Sequence, residues 1–313
     1  MKLKKPKFWD YKQPIFISYL LLPFTFPLII NNFFLKLKKN NIKNSKIKKI
    51  CIGNIYVGGT AKTPLTIKIY QILNSLKFKT ATMKKFYADH VDEQKMLAEK
   101  TKLYCLKNRN MFLDKAIRDN IDVVIFDDGL QDRSINYDLE FVCFNNIKWI
   151  GNGLLIPAGP LREKIESIKK YDAAFINGNE IDNSNLRSLI KKYNKTIKIF
   201  ESNYVVINIE KFDINKKYLI FSGIGNPDSF KETLLKYNFS IIKEIIFPDH
   251  HIYTQVDIDK IKAQAQKLNA KIITTEKDYT KINSSNNDDI KYLQIDLKIK
   301  NEIELINYLK LNI

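Results

Sequence analysis

The chain reads as an α/β protein, and three observations carry that expectation. A β-rich run over residues 49–57 passes through a glycine turn into an apolar-periodic run with Leu65, Ile67, Ile69, Ile72 and Leu73. Four apolar residues, Val123, Val124, Ile125 and Phe126, end in Asp127 and Asp128. From Tyr218 onward, short β-branched runs again alternate with helical ones. Such alternation builds parallel sheets covered by helices. The 313 residues suffice for two medium domains and a substantial core.

The first element is unlike the rest. Residues 1–10 are basic, with Lys2, Lys4, Lys5 and Lys7, and residues 13–35 then carry no formal charge. That run is long enough to span a bilayer. Pro23 and Pro27 would kink a helix, however, and Asn31 and Asn32 are polar. No small-residue cleavage site follows, so it is a poor signal peptide. Lysines flank both ends, with Lys36, Lys38 and Lys39 on the far side, so the charge bias gives no direction. A kinked helix lying in or dipping into the cytoplasmic leaflet fits these facts, which makes residues 1–40 a membrane-associated segment. A helix buried against a soluble body is the rival.

The glycine turn reads Gly53-Asn54-Ile55-Tyr56-Val57-Gly58-Gly59-Thr60-Ala61-Lys62-Thr63-Pro64. Strand, glycine loop and helix are the context of a phosphate-binding loop, whose N–H groups and helix N-terminus cradle anions. Nucleotide contacts are expected from Tyr56, Val57, Gly58, Gly59, Thr60, Ala61, Lys62 and Thr63. Lys62 would reach the outer phosphates and the Thr63 hydroxyl would ligate Mg²⁺. Tyr56 and Ala61 stand where G-x-x-x-x-G-K-[ST] has its glycines. Residues 121–128 match a Walker B strand, with Asp127 holding Mg²⁺ directly or through water. An ordinary glycine turn and a buried strand ending in Asp-Asp-Gly are the plain alternatives. Their joint order points to a nucleotide site with Mg²⁺.

Between and beyond these motifs the pattern continues. A strand over 78–83 leads through a loop to Asp92, a first-turn acid, and a helix through Lys95, Met96 and Leu97. A strand over 139–144 precedes a shaped loop, 151–163, in which Arg162 could clamp a phosphate and Glu163 could help hold the metal. Strands over 171–177 and 196–200 flank a helix over 185–192. Residues 201–217 connect two domains, a P-loop domain over 41–205 and a smaller α/β domain over 206–313. The latter has strands over 218–224, 241–246, 271–275 and 292–296 and helices over 227–237, 256–268 and 303–311. His250 and His251 follow its second strand. A His beside an acid suits proton transfer. Adjacent histidines point apart, and no Cys or third His completes a metal site.

Lys and Arg number 52 against 34 Asp and Glu, a formal charge of +18. That suggests an anionic partner, either nucleic acid or an acidic membrane surface. No nucleic-acid motif is present, and the lysines are scattered, as lysine-rich coding also produces. Cys51, Cys105 and Cys143 lie far apart, without a C-x-x-C pair, which points to a reducing cytoplasm.

Together these runs resemble the tetraacyldisaccharide 4'-kinases of lipid A synthesis. The resemblance rests on the phosphate loop, Asp127-Asp128-Gly129-Leu130-Gln131, and Gly151-Asn152-Gly153 through Pro157-Ala158-Gly159-Pro160-Leu161-Arg162-Glu163. It continues in Phe221-Ser222-Gly223-Ile224-Gly225-Asn226-Pro227, Phe247-Pro248-Asp249-His250 and Thr274-Thr275-Glu276-Lys277-Asp278. It implies a P-loop NTPase-like α/β/α domain facing a smaller α/β/α domain across a cleft, with an N-terminal membrane-contacting helix. It implies transfer of the ATP γ-phosphate to the 4'-hydroxyl of a tetraacyldisaccharide 1-phosphate. The place would be the cytoplasmic face of the inner membrane of a Gram-negative bacterium, held there peripherally or monotopically. The partners would be the lipid and the anionic membrane, with no nucleic acid and no obligate protein partner.

The family's Asp–His dyad maps onto Asp92, in Val91-Asp92-Glu93-Gln94, and His250. Asp92 is expected to accept the hydroxyl proton, with Asp89 the next candidate, and closure of the two domains would assemble the dyad. Catalysis is thus expected from Asp92, His250 and Lys62. The metal falls to Thr63, Asp127, Asp128 and Glu163, and the substrate to Asn54 and Arg162. The chain departs from the family at Ala61, at Met83-Lys84-Lys85-Phe86-Tyr87 in place of Ser-Arg-Gly-Tyr-Gly, and at Asp132 in place of His. The runner-up is a membrane-recruited P-loop ATPase or GTPase that acts as a switch without a lipid acceptor.

Deleting residues 1–35 should release the protein from anionic vesicles in a sedimentation assay. Unchanged co-sedimentation would remove the anchoring role of this segment.

Overall fold

The computed structural model describes residues 5–37, 46–88, 90–108, 111–178, 181–282 and 288–313. Lys2, Lys4, Lys38, Lys39 and Asp89 lie outside them. In chain order the first elements are α1 (Phe16–Leu20), α2 (Phe26–Leu37), β1 (Lys48–Gly53), α3 (Lys62–Ser75), β2 (Thr80–Lys85) and α4 (Val91–Lys100). Next come β3 (Leu103–Leu106), α5 (Phe112–Arg118), β4 (Val123–Asp127), β5 (Leu139–Asn145), β6 (Ala173–Asn177), α6 (Ser184–Tyr193) and β7 (Lys198–Val206). The last are β8 (Lys217–Ser222), α7 (Pro227–Lys236), β9 (Ser240–Ile246), α8 (Gln255–Lys267), β10 (Lys271–Thr275), α9 (Glu276–Tyr279), β11 (Ile290–Leu293), β12 (Ile295–Ile299) and α10 (Glu302–Asn312).

The chain divides into two compact units. The larger gathers the described residues of Leu3–Phe86, Lys100–Asn203 and Lys298–Ile313. Its sheet has the order β12-β7-β6-β5-β1-β4-β2-β3, and the pairings from β7 through β3 are parallel. β4 and β6 are buried along their whole length, and β1 along all but Lys48, as parallel strands covered on both faces require. The chain leaves β1 toward β2 and β3, returns to β4, and then continues on the other side of β1 with β5. The carboxyl end of β1, between β5 and β4, therefore lies at the topological switch point, where open α/β sheets bind ligands.

The smaller unit gathers the described residues of Tyr87–Glu99 and Tyr204–Leu297 around a parallel sheet ordered β11-β10-β8-β9. Along β8, Tyr218 and Ile220 join one apolar cluster with Phe230 and Leu234 of α7. Leu219 and Phe221 join another with Ile258 and Ile261 of α8. Helices thus cover both faces, and the period-two alternation of strand side chains feeds both cores.

Three boundaries differ from the sequence expectation. The connection drawn over 201–217 begins as strand, because β7 runs on to Val206. The last helix was assigned to the smaller domain, yet α10 lies in the larger unit, and β12, which starts inside the strand expected over 292–296, sits beside β7 in the eight-stranded sheet. There the Lys300 N–H donates to Glu201 O, its ammonium meets the Glu201 carboxylate at 2.8 Å, and Leu297, Ile299, Leu305 and Leu309 are buried. α4 up to Glu99 belongs to the smaller unit rather than to the one its flanking strands build.

The N-terminal segment belongs to the larger unit, broken into α1, a 3-10 turn (Leu22–Thr25) and α2. Pro23 lies in the turn and Pro27 in the first turn of α2, where a missing N–H is tolerated. Among the described residues no helix is long and apolar enough to cross a membrane. Phe16 is 84% exposed, and Tyr19, Leu20, Phe24, Phe26 and Phe34 are exposed with it.

Glu140 on β5 meets Arg133 at 3.1 Å. Burial outweighs that cation, and with Asp172 and Glu163 nearby it lifts the Glu140 carboxyl to about 7. The folded state then holds this proton more tightly than the unfolded chain, so stability falls as pH rises from about 4.5 to about 7 and levels off above. Glu140→Gln should lose that contribution. Its melting temperature relative to wild type should rise between about pH 5 and pH 8, and a pH-independent difference would contradict this.

Candidate active site

The first cluster is set by strand register. Ile52 of β1 and Lys84 of β2 both lie opposite Asp127 of β4. Asp127 is fully buried. Its Oδ2 accepts from Lys84 Nζ at 2.6 Å and from Thr63 Oγ1 at 3.0 Å, and its Oδ1 meets Thr66 Oγ1 at 3.4 Å. Asp128 follows in a left-handed conformation, φ 57°, with its N–H donating to Ile52 O. Arg162 Nη1 lies 2.8 Å and Lys62 Nζ 3.9 Å from its Oδ1. Burial opposes ionisation of Asp128, but Lys62, Arg162 and Lys84 outweigh it and hold the carboxyl well below the usual range.

The loop before α3 is braced from within. Asn54, expected to meet substrate, is buried, and its amide donates to Thr60 Oγ1 at 2.9 Å and Gly58 O at 3.3 Å. Through these bonds it braces the loop. Tyr56 is buried, with its hydroxyl between Asp10 and Lys5. The Val57 N–H is taken by Pro160 O, and Arg162 N–H by Ile55 O. Ala61 caps α3 in the left-handed region, φ 65° and ψ 26°. Its methyl is therefore strained where glycine would be at ease.

Glu163 lies further along the same chain of polar contacts. Arg162 Nη1 donates to Gln131 Oε1, and Gln131 Nε2 to Glu163 Oε1 at 3.0 Å. Glu163 Oε2 meets Lys170 at 2.6 Å. Both of its carboxylate oxygens are engaged by nitrogen donors.

The second cluster lies wholly in the smaller unit. Asp92, in the first turn of α4, is buried, and both its carboxylate oxygens lie 3.0 Å from His250 Nδ1. Lys277 Nζ stands 3.4 Å and Lys281 Nζ 3.7 Å from Asp92 Oδ2. Burial alone would raise the Asp92 carboxyl, but the hydrogen bond to His250 and the charges of Lys277 and Lys281 hold it well below the usual range. Burial likewise opposes the charge on Lys277, and Glu93, Asp249 and Asp92 overcome it, raising its pKa. His250 is held at φ 57°, its N–H meeting Gly223 O at 3.2 Å and Asp249 Oδ1 at 3.0 Å, and His90 stacks on its ring at 4.4 Å. Asp278 accepts the Gly223 N–H at 3.0 Å and pairs Lys281 at 2.6 Å. These groups gather at the carboxyl ends of β8 and β10, the switch point of the four-stranded sheet. Asp92 and His250 thus share one unit, whereas the sequence placed them on opposite domains.

A model of the tetraacyldisaccharide-1-P 4'-kinase family matches residues 19–312. The chain belongs to this family. It is 49% identical to a tetraacyldisaccharide 4'-kinase of Pelagibacter ubique, over all of this chain and 99% of that protein. A Rickettsia bellii protein of the same name is 32% identical over 96% of each. Among solved structures, LpxK from Aquifex aeolicus, in complex with ATP, is similar at a TM-score of 0.73 and 19% identity. That match covers 95% of this chain and 99% of the other. The likeness shows the P-loop NTPase-like α/β fold.

That fold implies a Mg²⁺ ion, and the residues fit one. Thr63 Oγ1 and Asp127 Oδ2, 3.0 Å apart, are hard oxygen donors of the kind Mg²⁺ takes beside phosphates and water. Among the described residues no group of three or more His, Cys, Asp or Glu forms a metal cage. Asp128 and Glu163, expected as ligands, are paired with Lys62 and Arg162 and with Gln131 and Lys170.

Sequence reasoning passed over Lys84, Gln131, Lys277 and Lys281. Gln131 and Lys277 stood inside quoted motifs without a role. Lys84 stood only in a departure, since its meaning comes from register.

Ala61→Gly should relieve the left-handed strain of about 1–2 kcal/mol, less the entropy glycine adds to the unfolded chain, about 0.4–1 kcal/mol. A higher melting temperature is expected, and a lower one would show that the methyl makes compensating contacts.

Proposed function

We propose that this protein transfers the γ-phosphate of ATP to the 4'-hydroxyl of a tetraacyldisaccharide 1-phosphate, a lipid A precursor. The observation that carries this reading is the His250–Asp92 pair, in a chain of this family that also bears a phosphate loop. Hydrolysis by a switch ATPase needs no such proton-accepting pair for a sugar hydroxyl. Phosphoryl transfer needs little covalent help, only alignment, positive charge around the phosphate oxygens, and a taker for the hydroxyl proton.

Lys62 and Arg162 supply charge at the phosphates, with Thr63 and Asp127 holding Mg²⁺, which neutralises developing phosphate charge when bound. At the other reactant, the pair accepts the proton as one unit. Asp92 is 1% exposed and held ionised, while His250 is the more open member at 16%. The proton therefore enters through His250, and Asp92 orients the ring and stabilises its cation, the reverse of the roles expected from the sequence. The exposed apolar faces of α1 and α2 and the charge of +18 suit a substrate whose acyl chains stay in an anionic bilayer. The proposed location is the cytoplasmic face of the inner membrane, without a nucleic-acid or obligate protein partner.

Labelled ATP, Mg²⁺ and the disaccharide 1-phosphate lipid test this directly, with label on the lipid as the expected result. ATP hydrolysis that ignores the acceptor would favour a switch ATPase instead. Lys62→Ala should abolish transfer. His250→Ala and Asp92→Ala should each slow it by about 10²–10⁴-fold, the usual size of acid–base effects. Near-normal rates in both would place the proton acceptor elsewhere.

A further inference from the structure

Lys62, Lys84 and Arg162 stand beside the two acids at the end of β4, and they are not equivalent. Lys62 and Arg162 face Asp128. Lys84 faces Asp127, and its ammonium lies 2.6 Å from Oδ2, the same oxygen that accepts the Thr63 hydroxyl. Lys84 is 3% exposed and Asp127 0%, so neither charge is relieved by water. The parallel pairing of β2 with β4 places the lysine opposite the acid, so the contact is built into the sheet.

We propose that Lys84 is an internal counter-ion that competes with divalent metal for Asp127, so that metal binds together with the nucleotide and not before it. The inference rests on the ATP-site reading given above. An ammonium and a divalent cation cannot both sit on one buried carboxylate oxygen, because their mutual repulsion is strong in a low-dielectric site. With the phosphate chain absent, Lys84 neutralises Asp127 and keeps Thr63 aimed at it. When phosphates arrive, their oxygens offer the ammonium a second anionic partner, and the Asp127–Thr63 oxygens open to the metal. Lys84 is on this view a positioning residue that sets the order of binding.

Mn²⁺ binding, read from the free-ion electron paramagnetic resonance signal, tests this without turnover. Wild-type protein should bind Mn²⁺ at least about tenfold more weakly alone than with a non-hydrolysable ATP analogue, the scale on which groups behind a metal ligand alter affinity. Lys84→Met should bind Mn²⁺ without nucleotide about tenfold more tightly than wild type, and Lys84→Arg should resemble wild type. Lys84→Gln, which keeps one donor for Asp127, serves if Lys84→Met fails to fold, and should also tighten binding. Equal Mn²⁺ affinity of wild type and a folded Lys84→Met or Lys84→Gln variant without nucleotide would overturn the proposal. So would nucleotide-independent Mn²⁺ affinity in wild type. Failure of wild type to bind the ATP analogue at all would instead strike the reading of the site as an ATP site.

Discussion

The buried carboxylate of Asp127 is the constraint around which the larger unit is arranged. An ionised group at zero exposure is tolerated only when opposite charge and hydrogen bonds surround it. Here Lys84 comes from β2, Thr63 and Thr66 come from α3, and the acid itself ends β4. Each partner depends on the register of β1, β2 and β4, because a one-residue slip would turn Asp127 or Lys84 to the other face of the sheet. The same register fixes Asp128 beside Ile52, where its left-handed backbone turns the second carboxylate toward Arg162 and Lys62. Fold and phosphate site are therefore one electrostatic problem.

The smaller unit solves a similar problem with other residues. Asp92 is buried and ionised among His250, Lys277 and Lys281, and Asp278 is buried beside Lys281. Asp92 faces Lys277 and Lys281, and Asp278 faces Lys281, so each of these acids has a partner of opposite sign. They also stiffen the ring of His250, which His90 covers on one face. A proton-accepting pair gains from such fixed surroundings, since orientation and charge are set before the reaction begins.

The N-terminal segment is tied to the phosphate site by polar contacts, while Leu28 and Ile29 of α2 pack against the apolar core of the larger unit. The Tyr56 hydroxyl meets Asp10 and Lys5, Trp9 Nε1 donates to Pro157 O at 3.0 Å, and Asn32 donates to the backbone oxygen of Arg162 at 3.0 Å. Tyr56 holds the first glycine position of the phosphate-loop pattern. Its departure from that pattern thus has a structural reason: it anchors the segment that carries the exposed aromatic residues.

Much was legible in the sequence alone. Hydrophobic period and glycine placement revealed the α/β class, the loop at Gly53–Lys62 and the acid at Asp127, because these signals are local in the chain. The order of motifs was enough to name the family, and His250 and Asp92 came from that order. What the sequence did not contain was which strand lies beside which. Lys84 became a partner of Asp127, and α4 a part of the smaller unit, only through pairing between residues far apart in the chain. Long-range register, strand order and the balance of buried charge were decided by tertiary structure, because a side chain's neighbours across a parallel sheet leave no mark in its own sequence neighbourhood.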